Sequence, residues 1–189
     1  MRIISGAAAR TPLAVPETPA TRPLLEMARG ALANALAPRL PGAAVLDLYA
    51  GSGAFGLEMW SRGARRVVCV EADRSACRTL RANIRRCGAM DDARVMEGLA
   101  GRQVRHLSRD GALFDIIFVD PPFRLAASWR DDPDAAQASR LLPGLLAPEG
   151  VMLFRLEDRR AAPPVFDGLS AGNDRKYGRS RIVEYRRAA

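Results

Sequence analysis

Histidine and lysine occur once each in the 189 residues, as His106 and Lys176, and the three cysteines, Cys69, Cys77 and Cys87, form no Cys-x-x-Cys pair. Each scarcity removes a class of function. A thiol or imidazole metal site needs those ligands clustered at short spacing, so no metal is expected. An odd, scattered set of thiols does not make a disulfide framework, and three buried or half-buried free cysteines are expected instead. Nucleophilic catalysis by a Cys/His or Ser/His pair would rest on His106 alone, in a stretch with no accompanying motif. No run reaches the roughly 18 apolar residues of a membrane span, and Met1 to Ser5 is not followed by the apolar segment of a secretion signal. A cytoplasmic location is therefore expected. Internal repeats and low-complexity tracts are also absent.

What is present suits a folded enzyme: 48% hydrophobic and 26% charged residues read as one domain over residues 1–189 with a sizeable core. The formal net charge of +8 favours a partner carrying phosphates. The preference for arginine over lysine matches a general arginine, alanine and proline bias, but that bias does not account for the net excess of positive charge.

The chain opens with an extended arm over residues 1–20, punctuated by Gly6, Pro12, Pro16 and Pro19. Thr21-Arg-Pro23 reads as a helix start, and Leu25, Ala28, Leu32 and Leu36 keep one apolar face up to Pro38. Val45 to Tyr49, Val67 to Val70, Ile116 to Val119 and Val151 to Leu156 are short apolar runs without alternation, as strands covered on both faces require. Helical stretches fall between them, roughly Ala54 to Arg62, Ser75 to Arg86, Ala100 to Leu107 and Ala135 to Leu146. This alternation predicts an α/β fold: a Rossmann-like, mostly parallel, doubly wound sheet with helices on both faces. The tail around Tyr177 to Tyr185, broken by Gly178, predicts a terminal antiparallel hairpin.

The sharpest local signal is Val45-Leu-Asp-Leu-Tyr-Ala-Gly-Ser-Gly-Ala-Phe-Gly56, a strand entering a glycine-rich turn and then a helix. Gly51 and Gly53 permit a tight turn and close approach of a ligand to bare backbone, at the end of the first strand where such folds bind ligands. The spacing Gly51-x-Gly53-x-x-Gly56, with Glu71 downstream, also satisfies a dinucleotide fingerprint. Asp47 favours a different ligand, because a carboxylate there would crowd a pyrophosphate but suits a sulfonium and an ammonium. Glu71 is placed to accept hydrogen bonds from ribose hydroxyls, and Asp73 to cap the next helix. The candidate cofactor-binding residues are Asp47, Tyr49, Ala50, Gly51, Ser52, Gly53, Glu71, Ala72, Gly98 and Leu99, for S-adenosylmethionine.

Asp120-Pro-Pro-Phe123 follows the strand ending at Val119. An exocyclic base amine is a poor nucleophile because its lone pair is delocalised into the ring. Hydrogen bonds to the Asp120 carboxylate and the Pro121 carbonyl would draw the nitrogen toward tetrahedral geometry, while Phe123 stacks on the extruded base. Pro121 and Pro122 would hold that carbonyl rigidly. Asp120, Pro121, Pro122 and Phe123 are the candidate catalytic residues.

With these motifs in view, the chain resembles the bacterial methyltransferases that make N2-methylguanine in small-subunit (16S) ribosomal RNA. The resemblance runs from Arg2-Ile-Ile-Ser-Gly6 through Thr21-Arg-Pro23, with Arg29, Ala31, Leu32 and Asn34 in the following helix. It continues through Leu46 to Glu58, Ser61-Arg-Gly-Ala64, Val70-Glu71, Phe118 to Phe123 and Lys176-Tyr-Gly178. It implies S-adenosylmethionine as donor, one guanine amine as acceptor, and Asp120 and Phe123 as catalytic and base-stacking positions. Residues 1–40 would contribute to binding ribosomal RNA, either free or within a small-subunit assembly intermediate, and the enzyme would act as a monomer. The basic cluster that usually extends the arm is reduced here to Ala7-Ala-Ala-Arg10. Leu99 stands where an Asp or Asn often meets the adenine amine, which leaves adenine recognition to backbone groups.

Arg74, Arg78, Arg81 and Arg85 recur at helical spacing opposite Cys77, Leu80 and Ile84 and read as a solvated face. Arg2, Arg10, Arg22, Arg29, Lys176 and Arg179 are the candidate RNA-binding residues, with Arg175, Arg181, Arg186 and Arg187 extending the same rim. Ser128 to Asp134, with Trp129 and mixed charges, reads as a lid over the site. An amino-methyltransferase acting on DNA adenine or another RNA base, a nicotinamide-dependent oxidoreductase and a catalytically silent RNA-binding module are the alternatives.

Overall fold

A computed structural model of the protein describes residues 1–16, 26–156, 162–178 and 180–188. Seven strands form one sheet: β1 (Ala44–Leu48), β2 (Arg66–Glu71), β3 (Ala93–Glu97), β4 (Phe114–Val119), β5 (Leu146–Leu156), β6 (Leu169–Tyr177) and β7 (Ser180–Arg187). Their spatial order is β3-β2-β1-β4-β5-β7-β6. The first five pair in parallel, and β7 enters antiparallel between β5 and β6. The helices are α1 (Glu26–Leu36), α2 (Ala54–Ser61), α3 (Arg74–Cys87), α4 (Ala100–Arg109), α5 (Phe123–Ala127) and α6 (Pro133–Leu145). No described helix is long and apolar enough to cross a membrane.

The two cores explain why the strands lack alternation. Val45, Val67, Cys69, Ile116 and Phe118 pack on one side of the sheet with residues of the arm, α1, α2 and α3. Leu46, Leu48, Val68, Val70, Ile117 and Val119 pack on the other side with α4 and α6. Successive side chains point to opposite faces, so a strand covered twice must be apolar at every position. The three cysteines are free, Cys69 and Cys77 buried and Cys87 half-buried.

The structure departs from the sequence expectation at several elements. β3 carries no continuous apolar run because it lies at the sheet edge, where only Ala93 of its five residues is buried. β5 starts earlier than expected and pairs with β4 through a register irregularity between Phe114 and Ile116. α5 begins at Phe123, directly on the Asp-Pro-Pro segment, and takes up the carbonyl of Pro122, which accepts from Ala126 N–H at 2.9 Å. The expected Thr21-Arg-Pro23 helix start lies outside the described residues.

The arm folds back on itself, with Arg2 bridged to Pro12, and is latched to α2. The buried carboxylate of Glu58 accepts from the N–H groups of Ile4 (2.7 Å) and Ser5 (3.2 Å) and from Arg62 Nε (2.7 Å). Ser61 Oγ donates to the Ser5 carbonyl and accepts from Ala8 N–H. Buried Asn83 on α3 is the second latch: its amide donates to the carbonyls of Ala14 and Ser52 and accepts from Ala14 N–H. The arm is thereby joined to the glycine turn itself. Such buried polar groups are costly unless all are partnered, which ties the arm, α2 and the turn into one cooperative unit.

Gly6 sits at φ +90, and a Cβ there would fall 1.8 Å from the Ser61 carbonyl oxygen. Gly42 shares the left-handed backbone at φ +75, but a Cβ there meets nothing within 4 Å. Gly6→Ala is expected to cost about 1–3 kcal/mol more than Gly42→Ala, since only the first adds overpacking to backbone strain. Urea unfolding of the two variants checks this, and equal midpoints would show that the arm is not held as described.

Candidate active site

The site forms where the sheet reverses direction, between the carboxyl ends of β1 and β4, which pair Leu48 with Val119. In open α/β sheets this is the crevice that takes ligands. The N–H of Asp120 donates to the Leu48 carbonyl at 3.2 Å, so the Asp-Pro-Pro-Phe segment leaves the sheet beside the glycine turn. Phe55 of α2 stacks on Phe118 of β4 with ring centroids 4.1 Å apart, which fixes the helix after the turn against the strand before Asp120.

The turn is sharp and strained. Tyr49, Gly51 and Gly53 take φ values of +63, +55 and +77. Such values are uncommon for a tyrosine, and the surroundings must enforce them. Ala50 N–H donates to the Val70 carbonyl, and Gly51 N–H donates to Glu71 Oε2 at 2.8 Å. A Cβ on Gly53 would meet Leu80 Cδ1 at 2.1 Å, whereas one on Gly51 would meet nothing within 4 Å. Gly53 thus serves packing against α3, and Gly51 leaves bare backbone open to the crevice.

Two carboxylates act on this turn. Glu71 Oε1 accepts from the N–H groups of Ala72 and Asp73 while Oε2 holds Gly51, so its head is fixed at the mouth of the crevice. Asp73 caps α3 through Ala76 N–H, as expected. Asp47 is fully buried on the α2 side of β1, where Oδ2 accepts from Gly56 N–H at 3.0 Å. It caps α2 from a neighbouring strand, because Gly53 at the N-cap has no side chain to do so. Burial pushes the Asp47 carboxyl from an ordinary 3.8 up to about 8, with the Gly56 hydrogen bond opposing and the nearby Asp120 and Glu71 reinforcing the rise. With that value the group is a neutral carboxyl near pH 7, and a cation brought beside it would favour its ionisation.

Beside the turn opens a cleft of about 290 Å³ lined by Tyr49, Val70, Ala72, Gly98, Leu99, Leu125, Asp132 and Asp134, among others. Its wall is mainly apolar, and Leu99 stands at the rim with 58% of its surface exposed. The Tyr49 hydroxyl is buried without a hydrogen-bond partner among the described residues. Burial, reinforced by Asp134 and Asp132, pushes its ionisation well above the ordinary range, so it stays a neutral donor. The lid expected over Ser128 to Asp134 is not an open flap. Trp129 is 3% exposed, lies edge-on to Phe154 at 4.9 Å and to Tyr49 at 6.2 Å, and donates from Nε1 to Ser139 Oγ. Asp132 caps α6.

At the other end of the crevice, both oxygens of Asp120 lie 2.9 Å from Nη1 of Arg155 on β5. Arg155 is 4% exposed, donates from Nε to Ser180 Oγ at 2.9 Å, and has its Cζ 5.3 Å from the centroid of the Phe123 ring. Burial raises the Asp120 carboxyl from its ordinary value, and the charge and hydrogen bonds of Arg155 oppose that rise. The expectation of Asp120, Pro121, Pro122 and Phe123 as one group did not include Arg155 or Ser180. The available signal was an arginine inside the apolar run Val151 to Leu156; Ser180 carried none. Asn83 was similarly legible as a polar residue within the inner stripe of α3.

The proposed basic rim is reshaped. Arg29 is 1% exposed, donates to the Arg2 carbonyl and lies 3.7 Å from Glu58, so it holds the arm from within and presents no charge to a ligand. An arginine on the inner side of α1 is covered when the arm folds over it. Arg181 pairs with Asp174, Arg186 with Glu184, and Arg187 donates to the Leu146 carbonyl. Arg10, Arg175 and Lys176 are exposed, as is Arg2, which pairs with Glu26. Arg22 and Arg179 lie outside the described residues. On α3, Arg74 and Arg81 pair with Glu97 at the surface, consistent with a solvated face.

Comparison with known proteins agrees with this geometry. The model of the family described as Conserved hypothetical protein 95 matches residues 1–186. Ribosomal RNA small subunit methyltransferase D of Escherichia coli (strain K12) is 34% identical over 191 residues, spanning 100% of this chain and 91% of that protein. A solved Escherichia coli structure superposes with a TM-score of 0.81 at 33% identity, covering 99% of this chain and 97% of that one. The O-methyltransferase from Bacillus cereus in complex with SAH superposes at 0.67 with 16% identity, covering 87% and 83%, a likeness of fold.

The Asp47 carboxyl also makes a prediction for the protein without ligand. Its value is raised on folding, so between about pH 4 and 8 the native state binds more protons than the unfolded state. Stability from this group is therefore present at acid pH and declines as pH rises through that window. Asp47→Asn removes the titration, so denaturant unfolding of the variant at pH 5 and pH 8 should show a smaller decline than in the parent. An equal decline in both would show that Asp47 is already ionised.

Proposed function

Because the chain belongs to the Conserved hypothetical protein 95 family over residues 1–186, we propose that it transfers a methyl group from S-adenosylmethionine to the exocyclic N2 amine of one guanine in 16S ribosomal RNA. The observation that carries this reading is the fixed Asp120 carboxylate and Phe123 ring set beside an open glycine turn and an apolar cleft. The name of the Escherichia coli relative supports ribosomal RNA of the small subunit as the substrate.

The residues present fit the donor. The cleft beside Tyr49, Ala72, Gly98 and Leu99 suits an adenine ring, with backbone groups in place of a side chain at Leu99. Glu71 stands where ribose hydroxyls would donate, and buried Asp47 favours the positive end of the ligand. When bound, the donor supplies an electrophilic methyl carbon whose bond to sulfur breaks with its electron pair. Asp120 does the rest of the positioning. Its carboxylate accepts from the amine and frees the nitrogen lone pair to point at that carbon, and Phe123 carries the face of the flipped base. After transfer the amine releases its surplus proton to water.

The acceptor geometry favours guanine over other bases carrying amines. Guanine sets its N2 amine beside a ring N1–H, so two neighbouring donors face the two acceptor oxygens of Asp120. Adenine and cytosine set the amine beside an unprotonated ring nitrogen, which would face a carboxylate oxygen and be repelled. The exposed cations Arg2, Arg10, Arg175 and Lys176 are the candidates for phosphate contact.

Asp120→Ala should lower methyl transfer to unmodified small-subunit particles by about a hundredfold or more while S-adenosylhomocysteine still binds. Labelled-methyl transfer and calorimetry measure the two. Mass spectrometry of digested product should find N2-methylguanosine; N6-methyladenosine in its place would decide for the adenine alternative, and undiminished activity of the variant would remove Asp120 from the mechanism.

A further inference from the structure

Arg155 is a buried charged side chain near the carboxyl end of β5, directly after the apolar run Val151 to Phe154. β5 pairs with β4 as far as Phe154 and with β7 as far as Leu156 through its backbone, so the sheet does not need a guanidinium there. Burying one is costly unless it is well partnered, and its partners include the working groups of the crevice. Nη1 sits astride both Asp120 oxygens, Nε reaches Ser180 on β7, and the guanidinium lies over the Phe123 ring.

We infer that Arg155 is a positioning residue for methyl transfer, holding Asp120 as a fixed double acceptor and setting the Phe123 ring beneath the base. The inference rests on the assignment of Asp120 made above. One nitrogen bridging both oxygens occupies a single lone-pair direction on each, which leaves the second on each oxygen for the amine-bearing edge of the base. The cation over the Phe123 ring restricts its tilt, and a base stacked on the opposite side of that ring meets a preset surface.

The charge matters as well as the shape. Among the described residues, the titratable groups facing Asp120 are the Arg155 guanidinium from β5 and the Asp47 carboxyl from β1. Burial favours the neutral carboxyl, which would present a donor and break the match to guanine. Arg155 opposes burial and keeps Asp120 an acceptor of hydrogen bonds and a weak base, which is why the amine proton leaves to water.

Arg155→Gln and Arg155→Lys in the full-length chain separate these contributions. S-adenosylhomocysteine affinity, measured by calorimetry, should stay near that of the parent in both, since Arg155 is on β5, separated by β4 from the β1 strand that leads into the glycine turn. In Arg155→Gln, kcat for small-subunit particles should fall by about a hundredfold with KM little changed. The acid limb of its kcat profile should move up by about one pH unit or more, because the charge opposing protonation of Asp120 is gone. Arg155→Lys should keep the acid limb near its parental pH yet remain slower than the parent, because an ammonium restores charge without the planar fork.

An unmoved acid limb and parental kcat in Arg155→Gln would overturn the inference. Equal displacement of both variants would reduce Arg155 to a structural role, and parental kcat in Arg155→Lys would refute the need for the fork even if the Gln variant did not fold. Loss of activity in Asp120→Ala alongside unaffected Arg155 variants would overturn this inference alone, whereas an active Asp120→Ala would take the guanine reading with it.

Discussion

The parallel pairing of β1 with β4 is the constraint on which the candidate site depends. Where Leu48 meets Val119 the two strands end together, and the N–H of Asp120 closes the ladder onto the Leu48 carbonyl. From that junction the chain turns one way into the strained segment Tyr49 to Gly53 and the other way into Asp-Pro-Pro-Phe. The apolar cleft beside Tyr49 and the Asp120 to Phe123 segment therefore lie side by side without any loop having to search for its place. Central strands covered on both faces are the most rigid framework available for such a site.

Around the junction, helix termini and buried carboxylates share the polar accounting. Asp47 caps α2 because the turn requires a glycine at the capping position, and Glu71 fixes the turn from β2. Glu58 and Asn83 extend the same logic outward by fastening the arm to α2 and to the Ser52 carbonyl. The arm is thus a structural partner of the glycine turn, and Arg29 belongs to that attachment and not to a binding surface. The Arg155–Asp120 pair is the counterpart at the other end of the crevice, where a buried cation holds the Asp120 carboxylate and faces the Phe123 ring.

Much of this was legible in the residues alone. The uninterrupted apolar runs at Val45, Val67, Ile116 and Val151 implied a parallel sheet covered twice, because only that environment buries both faces of a strand. The glycine turn with Asp47 and the Asp120-Pro-Pro-Phe123 segment implied a cationic donor and an amine acceptor, because those chemistries need their groups contiguous in the chain. Edge strand β3, with Ala93 alone buried, left no such mark.

The fold itself decided what depends on residues distant in sequence. Arg155 meets Asp120 across 35 positions, Asn83 meets Ser52 across 31, and Glu58 meets Ile4 across 54. Local pattern is set by the period of a helix or strand, which repeats within a few residues, so it can mark Arg155 and Asn83 as polar intruders on apolar faces but cannot name their partners. The same limit placed Arg29 on the surface and Trp129 on a lid, when packing of the arm and of α6 buries both. Local chemistry determined the kind of site, and long-range packing determined which charges remain free to serve it.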